Sequence, residues 1–318
     1  MTEPREKKPP RVLCAGGAVQ DIVMRVDKFP DAGTKVQASE FLITSGGQAG
    51  NAAVAIARLG GRVSFAGPLG AKDDEFAGRI LQSLMREKID CNGAIRVAGA
   101  TSSVSLILID ANGEKTIATR RDQGLSSIEP EHAERSVANV DAVLLDNRYP
   151  NFATPICKAA PLDDPLLLAC SHVISSAEAL RGTAGLNDLR AALTRLGQSF
   201  KGFLAFTDGP DGVYWLEDGE VRHMDAFKVK AIDTLGAGDV FHGAFTFRLV
   251  ETGDVRDALR FAGAAAAISN AQLSVTVQRN TVRSIMFSPQ WMRMSFVSCQ
   301  SGNLASPHTT ATGVSKRT

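Results

Sequence analysis

Cysteines are few in this sequence and form no pattern. The five of them are scattered over 318 residues without CxxC spacing, and their odd number does not suit a set of paired disulfides. We expect buried thiols in a reducing compartment, because stable disulfides belong to oxidising ones. The chain also lacks an apolar run of bilayer length, and its charged first 11 residues have no apolar signal-peptide core. These absences favour a cytoplasmic protein with no membrane partner.

A surplus of charge of one sign is also missing. Lysine and arginine number 35 and aspartate and glutamate 34, which gives a formal net charge of +1. A balanced charge gives no electrostatic reason for a nucleic-acid partner, and we expect none. The GxxxxGK[ST] loop that holds nucleotide phosphates in many enzymes is absent. A small ligand is therefore expected, and any phosphate must be held by another kind of turn.

The length and apolar content suit one large α/β domain. With 44% hydrophobic residues in 318, the chain can bury a sizeable core, and two domains are possible but not required. An apolar run at residues 12–16 predicts a first buried parallel strand. Asp21 follows it, and ligands of open α/β sheets gather at the carboxyl ends of strands. Asp21 is therefore a candidate for binding substrate hydroxyls, and an ordinary loop aspartate is the alternative.

Residues 232–243 predict a small-residue turn that leads from an apolar stretch into a helix. Gly236, Ala237 and Gly238 have almost no side-chain bulk, so their N–H groups can converge on an oxyanion at the positive end of that helix. Asp239 would repel a phosphate there, unless its role is to take a proton from an attacking hydroxyl. The pattern indicates phosphoryl transfer to an alcohol. A purely structural glycine turn is the alternative.

A second glycine-rich segment spans residues 45–60. Gly46 and Gly47 allow the backbone to approach a ligand closely, and the run that starts at Asn51 predicts a helix that ends at Gly60. The amide of Asn51 offers both a donor and an acceptor to a hydroxyl. A capped helix after a tight turn, with no role in binding, is the alternative.

Both segments resemble the signatures of the PfkB (ribokinase-like) carbohydrate kinase family. Residues 46–60 match Gly-Gly-x-x-x-Asn-x-Ala followed by Ala-Arg-Leu-Gly, and residues 233–239 match Asp-Thr-x-Gly-Ala-Gly-Asp. The resemblance implies an α/β fold of the ribokinase-like type. This is a three-layer α/β/α sandwich with a mostly parallel central sheet and a small β-sheet lid.

The resemblance also implies a division of the chain. The kinase domain would cover residues 11–270, with lid strands from about 18–45 and 95–120, the second of these containing a hairpin turned by Asn-Gly. Residues 1–10 are charged and proline-containing and should be disordered. Residues 271–318 show no clear period and lack the closing helix of the family, so we expect an atypical C-terminal tail.

The resemblance assigns roles around the transferred group. Asp239 is the catalytic base, and Gly236, Ala237 and Gly238 complete the anion hole. The residues assigned to the sugar are Asp21, Gly46, Gly47, Asn51 and Arg148. Arg148 follows a predicted buried strand, and a solvent-facing arginine is the alternative for it.

Further residues are assigned to ATP and its ions. The segment 207–212 resembles the family's Thr-x-Gly-x-x-Gly, and the residues assigned to ATP are Thr207, Gly209, Gly212 and Thr234. Glu178 matches the glutamate of the family's Asn-x-x-Glu motif, which helps to order Mg²⁺, whereas Ser175 replaces its asparagine. A helix N-cap at Ser175 with Glu178 as capping partner is the structural alternative. Asp233 would help to hold a monovalent cation such as K⁺.

Within the family, residues 146–149 and 227–243 look most like the ketohexokinase and sulfofructose kinase branch. Arg148 and Lys35 could pair with an anionic substituent on the sugar. The expected reaction is ATP-dependent phosphorylation of a small ketohexose-like or ribose-like sugar, with a possible homodimer formed through the lid. A nucleoside kinase of the same fold is one alternative. The other is a non-catalytic binding paralogue, because a strand of the family is missing between residues 158 and 165.

Overall fold

The structure, a computed structural model, describes residues 8–159, 170–230 and 234–271. The strands in these ranges are β1 Arg11–Ala15, β2 Val19–Arg25, β3 Glu40–Gly46, β4 Arg62–Leu69, β5 Asp90–Arg96, β6 Val104–Ile109, β7 Lys115–Arg120, β8 Ala142–Leu145, β9 His172–Ser176, β10 Phe203–Thr207, β11 Val213–Glu217 and β12 Glu220–Met224. The helices are α1 Gln48–Arg58, α2 Glu75–Arg86, α3 Ala133–Val137, α4 Pro150–Ala159, α5 Ala177–Ala184, α6 Leu189–Gly197, α7 Ala237–Thr252 and α8 Val255–Asn270.

The central sheet consists of two four-stranded halves. The first has the order β5-β4-β1-β8, and all of its pairings are parallel. The second has the order β12-β11-β10-β9, in which β9 and β10 are parallel and the other two pairings are antiparallel. Within the described ranges β8 and β9 do not pair with each other. The strand predicted to be missing near residues 158–165 falls almost wholly outside the described residues, which end at Ala159 and resume at Cys170.

Helices cover both faces of the two halves, as the predicted three-layer sandwich requires. On one face a single apolar core joins α1, α7 and α8 to side chains of both halves, such as Val12 of β1 and Trp215 of β11. On the other face α3 and α4 cover the first half around Phe152, while α5 and α6 cover the second half around Phe206. The shared face therefore holds the two halves together.

A separate four-stranded sheet, which we call the lid, has the order β3-β2-β6-β7. The predicted Asn-Gly hairpin is confirmed between β6 and β7, where Gly113 has a φ of 81°. On the inner face Val23, Ile107 and Ile109 pack against Leu235, the residue before the glycine turn of α7. Side chains alternate along a strand, so their neighbours point outward. This outer face carries Ile22, Met24, Phe41, Ile43, Leu106 and Leu108.

Local sequence explains where two helices begin. The carboxylate of Asp74 accepts hydrogen bonds from the amides of Phe76 and Ala77, which fixes the start of α2. The N-cap of α5 is Ser176, whose hydroxyl accepts from Ala179, so the predicted N-cap at Ser175 is wrong. The pairing of β9 with β10 continues to Ser176, so the helix starts only at Ala177 and Ser175 lies one residue too early for the cap.

Two expectations about the ends of the chain fall mostly outside the described residues. They concern residues 1–7 of the predicted disordered segment and residues 272–318 of the predicted tail. Among the helices that are described, none combines the length and the apolar character needed to cross a membrane.

Candidate active site

The two glycine-rich segments meet at a hydrogen bond between Asn51 and Asp239. Gly236, in the left-handed conformation with φ 74°, is the N-cap of α7 and turns the chain so that Asp239 lies in the first helical turn. Nδ2 of Asn51 on α1 donates to Oδ2 of Asp239 over 2.8 Å, across 188 residues of sequence. The residues that were assigned to the sugar and to the base are therefore neighbours.

The environment of Asp239 favours its protonated form more than water does. Burial raises the pKa of this carboxyl to about 7, although the hydrogen bond from Asn51 opposes the shift. The negative charges of Asp146 and Asp21 raise the pKa further, and Lys115 on β7 lowers it. A carboxylate with a pKa near neutrality can both accept and release a proton under physiological conditions.

Asp21 lies beside this pair on β2 and is 7% exposed. Burial raises its pKa to about 6, and a hydrogen bond with Ser105 opposes the shift. A Cβ atom on Gly46 would overlap the carboxylate of Asp21. Any larger residue at position 46 would displace this carboxylate, so the position requires glycine.

Gly47 is the N-cap of α1 and has φ 88° and ψ 149°, a conformation that L-residues rarely adopt. A Cβ atom at this position would lie 2.6 Å from the carbonyl oxygen of Gly17. The sequence predicts that the backbone at this glycine comes close to a ligand. The close contact that the structure shows is with the backbone of the loop that follows β1.

Asp146, which follows β8, is a site residue that the sequence motifs did not single out. Its carboxylate accepts from the backbone amides of Gly17, Ala49 and Arg148. The signal was present in the chain, because Asp146 follows β8 and Asp21 comes after β1, and these two strands pair in parallel. The number of its amide partners could not be read from the sequence.

Arg148 is partly buried and lies at this same edge. Its Cβ and Cγ atoms pack over Gly17, at 3.3 and 3.0 Å from where a Cβ on that glycine would be. The next residue, Tyr149, is buried and its hydroxyl lies 3.3 Å from Oγ of Ser103. The partial burial argues against a wholly solvent-facing arginine.

The residues assigned to ATP lie in two turns. Thr207 ends β10, and the tight turn Gly209–Asp211 follows it. Gly212 has φ 91°, and a Cβ there would overlap the carbonyl oxygen of Met224. Thr234 is exposed and its carbonyl accepts from the amide of Ala237 over 3.5 Å.

A histidine of α7 connects the base helix to the second half of the sheet. Nε2 of His242 lies 3.2 Å from the carbonyl oxygen of Ile174 on β9. Burial lowers the pKa of His242, which favours the neutral ring. The helix that carries Asp239 therefore contacts α1 through Asn51 and β9 of the second half through His242.

The described residues do not form a protein cage for a metal. No group of three His, Cys, Asp or Glu side chains able to hold an ion occurs among them. Glu178 is exposed in the first turn of α5, and Asp233 lies outside the described residues. Mg²⁺ usually keeps several waters and binds one or two carboxylates together with substrate phosphates. The single carboxylate of Glu178 fits that arrangement and does not fit an all-protein site.

Known proteins with related sequences and structures are numerous. The model of the pfkB family carbohydrate kinases matches residues 9–164 and 165–280. A ribokinase of Bacillus subtilis is 29% identical over 81% of this chain and 92% of its own. An ATP-dependent ribose-1-phosphate kinase of Halopiger xanaduensis is 30% identical over 81% of this chain and 91% of its own.

Solved structures agree with this relationship. A candidate ribokinase from Agrobacterium tumefaciens is 33% identical, with a TM-score of 0.84 over 90% of this chain and 99% of its own. The Arabidopsis thaliana ribokinase complexed with ribose and ATP is 20% identical and shares the fold, with a TM-score of 0.74 over 89% of this chain and 100% of its own. The chain thus has the ribokinase-like fold and belongs to the pfkB family of carbohydrate kinases, enzymes that transfer a phosphoryl group to a sugar hydroxyl.

Proposed function

We propose that the protein transfers the γ-phosphoryl group of ATP to a hydroxyl of a small ketohexose-like or ribose-like sugar, with Asp239 as the general base. The observation that carries this proposal is the 2.8 Å hydrogen bond from Asn51 to Asp239, with Asp21 close enough to raise the pKa of the same carboxyl. Membership of the carbohydrate kinase family supports it, as do relatives named as ribokinase and deoxyribokinase.

The proposed mechanism depends on position and charge. Asp239 accepts the proton of the attacking hydroxyl. The amides of Gly236, Ala237 and Gly238, at the positive end of α7, stabilise the charge of the phosphoryl group in transfer. The residues proposed to bind the sugar are Asp21, Gly46, Gly47, Asn51 and Arg148.

The nucleotide side of the proposal uses the turns after β10 and before α7. Its residues are Thr207, Gly209, Gly212 and Thr234. Glu178 would meet Mg²⁺, which, when bound, neutralises phosphate charge. A monovalent cation at Asp233 stays a prediction, since this residue lies outside the described ranges. The inner face of the lid would exclude water, the competing acceptor, from the sugar.

The choice of sugar is the part that an assay must decide. We expect ATP-dependent product formation with ribose or fructose in a panel that also contains adenosine and sulfofructose. Because the base must be deprotonated, kcat/KM should rise with pH through about 7 and level off above it.

Three outcomes would redirect the proposal. Turnover of adenosine alone would identify a nucleoside kinase, and preference for sulfofructose would support an anion contact at Arg148 or Lys35. Calorimetric binding of ATP and sugar without any product would favour the non-catalytic alternative.

We also infer that two copies pair through the outer face of the lid. Phe41 is 60% exposed, Leu106 42% and Ile43 41% on this face. The six residues named above for the outer face are all apolar, and an apolar sheet face can pack against the same face of a second copy around a two-fold axis. The scattered cysteines support a cytoplasmic location for this assembly.

Charges on the outer face should break the dimer. The double change Phe41→Glu with Leu106→Glu is expected to give a monomer in light scattering after size-exclusion chromatography, because two carboxylates cannot be buried unpaired between the sheets. Met85→Glu is the control, since Met85 is similarly exposed at 56% but lies on α2 outside the lid. A wild-type protein that is already monomeric would contradict the inference.

A further inference from the structure

The carboxylate of Asp146 joins three segments of the candidate site. Its Oδ2 accepts from the amide of Gly17 over 2.8 Å and from the amide of Ala49 over 3.0 Å. Its Oδ1 accepts from the amide of Arg148 over 2.9 Å. These partners lie after β1, in the first turn of α1 and after β8, so one side chain fixes three chain segments to each other.

Helix α1 depends on this contact because it has no cap of its own. Its N-cap residue, Gly47, makes no side-chain hydrogen bond, and no acidic residue lies in its first turn. The first amides of a helix need acceptors from elsewhere. Asp146 supplies one of them from 97 residues away, and Gly17 supplies another through its carbonyl, which accepts from the amide of Gly50 over 3.3 Å.

The Asp146 carboxylate lies close against the loop that follows β1. A Cβ atom on Gly16 would overlap its carboxylate, which therefore fills the space beside that glycine. Asn51 follows Ala49 by two residues on the same helical turn and donates to Asp239. The path from the Asp146 carboxylate to the proposed base thus consists of one hydrogen bond, one turn of α1 and a second hydrogen bond.

We propose that Asp146 is a positioning residue for phosphoryl transfer, which caps α1 from across the site and so holds Asn51 against Asp239. The inference rests on the proposed function. Asp146 need not touch the sugar for this role, since its two oxygens are already engaged by three amides.

The charges around Asp239 give the proposal a second readout. The groups that act on it are Asp146 after β8, Asp21 on β2 and Lys115 on β7, together with the neutral amide of Asn51 on α1. Burial raises the pKa of Asp146 itself, while the three amides and Arg148 lower it. Loss of the charge of Asp146 alone would lower the pKa of Asp239, whereas loss of the Asn51 hydrogen bond, which has the larger effect, raises it. If Asp146 holds Asn51 in place, its replacement should therefore make Asp239 ionise at a higher pH.

The test is the change Asp146→Asn. An asparagine presents one oxygen and one NH₂ group, so it cannot accept from all three amides, and Asn51 should lose its fixed position. We expect kcat/KM to fall by about 100-fold, as for other small misplacements of reacting groups. We also expect the rising limb of the pH profile to move to higher pH, because Asp239 loses the hydrogen bond from Asn51 that lowers its pKa.

Asp74→Asn is the matched control. Asp74 likewise accepts from three amides, those of Phe76, Ala77 and Ser102, and caps a helix, but it is not among the groups that act on Asp239. The Asp74→Asn variant should be less stable than the wild type, but the pH profile of its kcat/KM should not shift. If Asp146→Asn changes turnover and its pH profile no more than Asp74→Asn does, then Asp146 has only a structural role and the proposal is wrong.

A carboxyl ¹³C NMR titration separates this inference from the proposed function. The signal of Asp239, assigned with Asp239→Asn, should titrate near 7 in the wild type and at higher pH in Asp146→Asn, whether or not the sugar is turned over. A titration that stays unchanged or moves to lower pH would show that Asp146 does not hold Asn51 against Asp239, and would overturn the proposal. If the wild type turned over none of the sugars, the proposed function would be wrong. The NMR titration of Asp239 would still test the positioning role, because it does not require turnover.

Discussion

Replacement of Asp239 by asparagine is expected to lower kcat by about 10²- to 10⁴-fold, the usual contribution of a general base. Asparagine keeps the shape of the side chain, and its oxygen can still accept from Asn51, but it cannot take a proton from a hydroxyl. Binding of ATP and sugar should therefore change little. Steady-state kinetics and calorimetry on the same preparations would measure the two effects separately.

The same variant should be more stable than the wild type at high pH. Burial raises the pKa of Asp239 from 3.8 to about 7 in the folded protein, so the folded state binds the proton more tightly than the unfolded chain does. Below pH 3.8 the carboxyl is protonated in both the folded and the unfolded state, so its ionisation does not affect the free energy of unfolding. As the pH rises from the lower value to the higher one, the folded state loses about 1.4 kcal/mol of stability per pH unit.

Thermal unfolding at pH 5 and pH 8 measures this penalty. The gain in stability of Asp239→Asn over the wild type should be larger at pH 8. Asp74→Asn should show the opposite sign, because hydrogen bonds to Ser102, Ala77 and Phe76 outweigh burial and lower the pKa of Asp74. If Asp239→Asn retained full turnover, or gained no stability at pH 8, the assignment of a buried base at this position would fail.

Gly47→Ala is expected to cause large structural damage for the addition of a single methyl group. The conformation at φ 88° and ψ 149° costs an L-residue about 1–3 kcal/mol, and the new Cβ would lie 2.6 Å from the carbonyl oxygen of Gly17. That oxygen belongs to the backbone and is held by the amide of Gly50, so it cannot move away alone. Denaturant unfolding should show a loss of several kcal/mol, and the KM for the sugar should rise.

Gly78→Ala serves as the matched control for this change. Gly78 lies in α2, and no atom lies within 4 Å of a Cβ placed there. The same substitution should stabilise the protein by up to about 1 kcal/mol, since alanine favours the helix. If the two variants proved equally stable, the contact between Gly47 and Gly17 would not constrain the loop as described.

The sequence predicts the elements of this fold well where the signal is local. Alternating apolar strands and helices, the Asn-Gly hairpin and the helix after Gly47 depend on neighbouring residues, and they are present. The alternative N-cap of α5 at Ser175 misses by one residue, because the pairing of β9 with β10 extends to Ser176 and the helix starts only after it. That pairing is a tertiary contact, which a local pattern does not contain.

The site is predictable only in part for the same reason. Asn51 and Asp239 stand out because each belongs to a recognisable segment, and the structure brings them together. Asp146 lies in neither glycine-rich signature, and two of its three amide donors lie 129 and 97 residues away in the sequence. The raised pKa of Asp239 likewise depends on burial and on charges from three other elements.

The shared apolar face of the two sheet halves has a consequence for synthesis of the chain. Strands of both halves, from β1 to β12, leave the ribosome before α7 and α8, whose side chains complete the core against both. Until about residue 270 has emerged, α1 can cover part of this face, but the contacts made by α7 and α8 are missing. A product truncated before Ala237 would lack α7 and α8 and would expose apolar side chains of both sheet halves. Such an exposed apolar surface is the kind that chaperones bind.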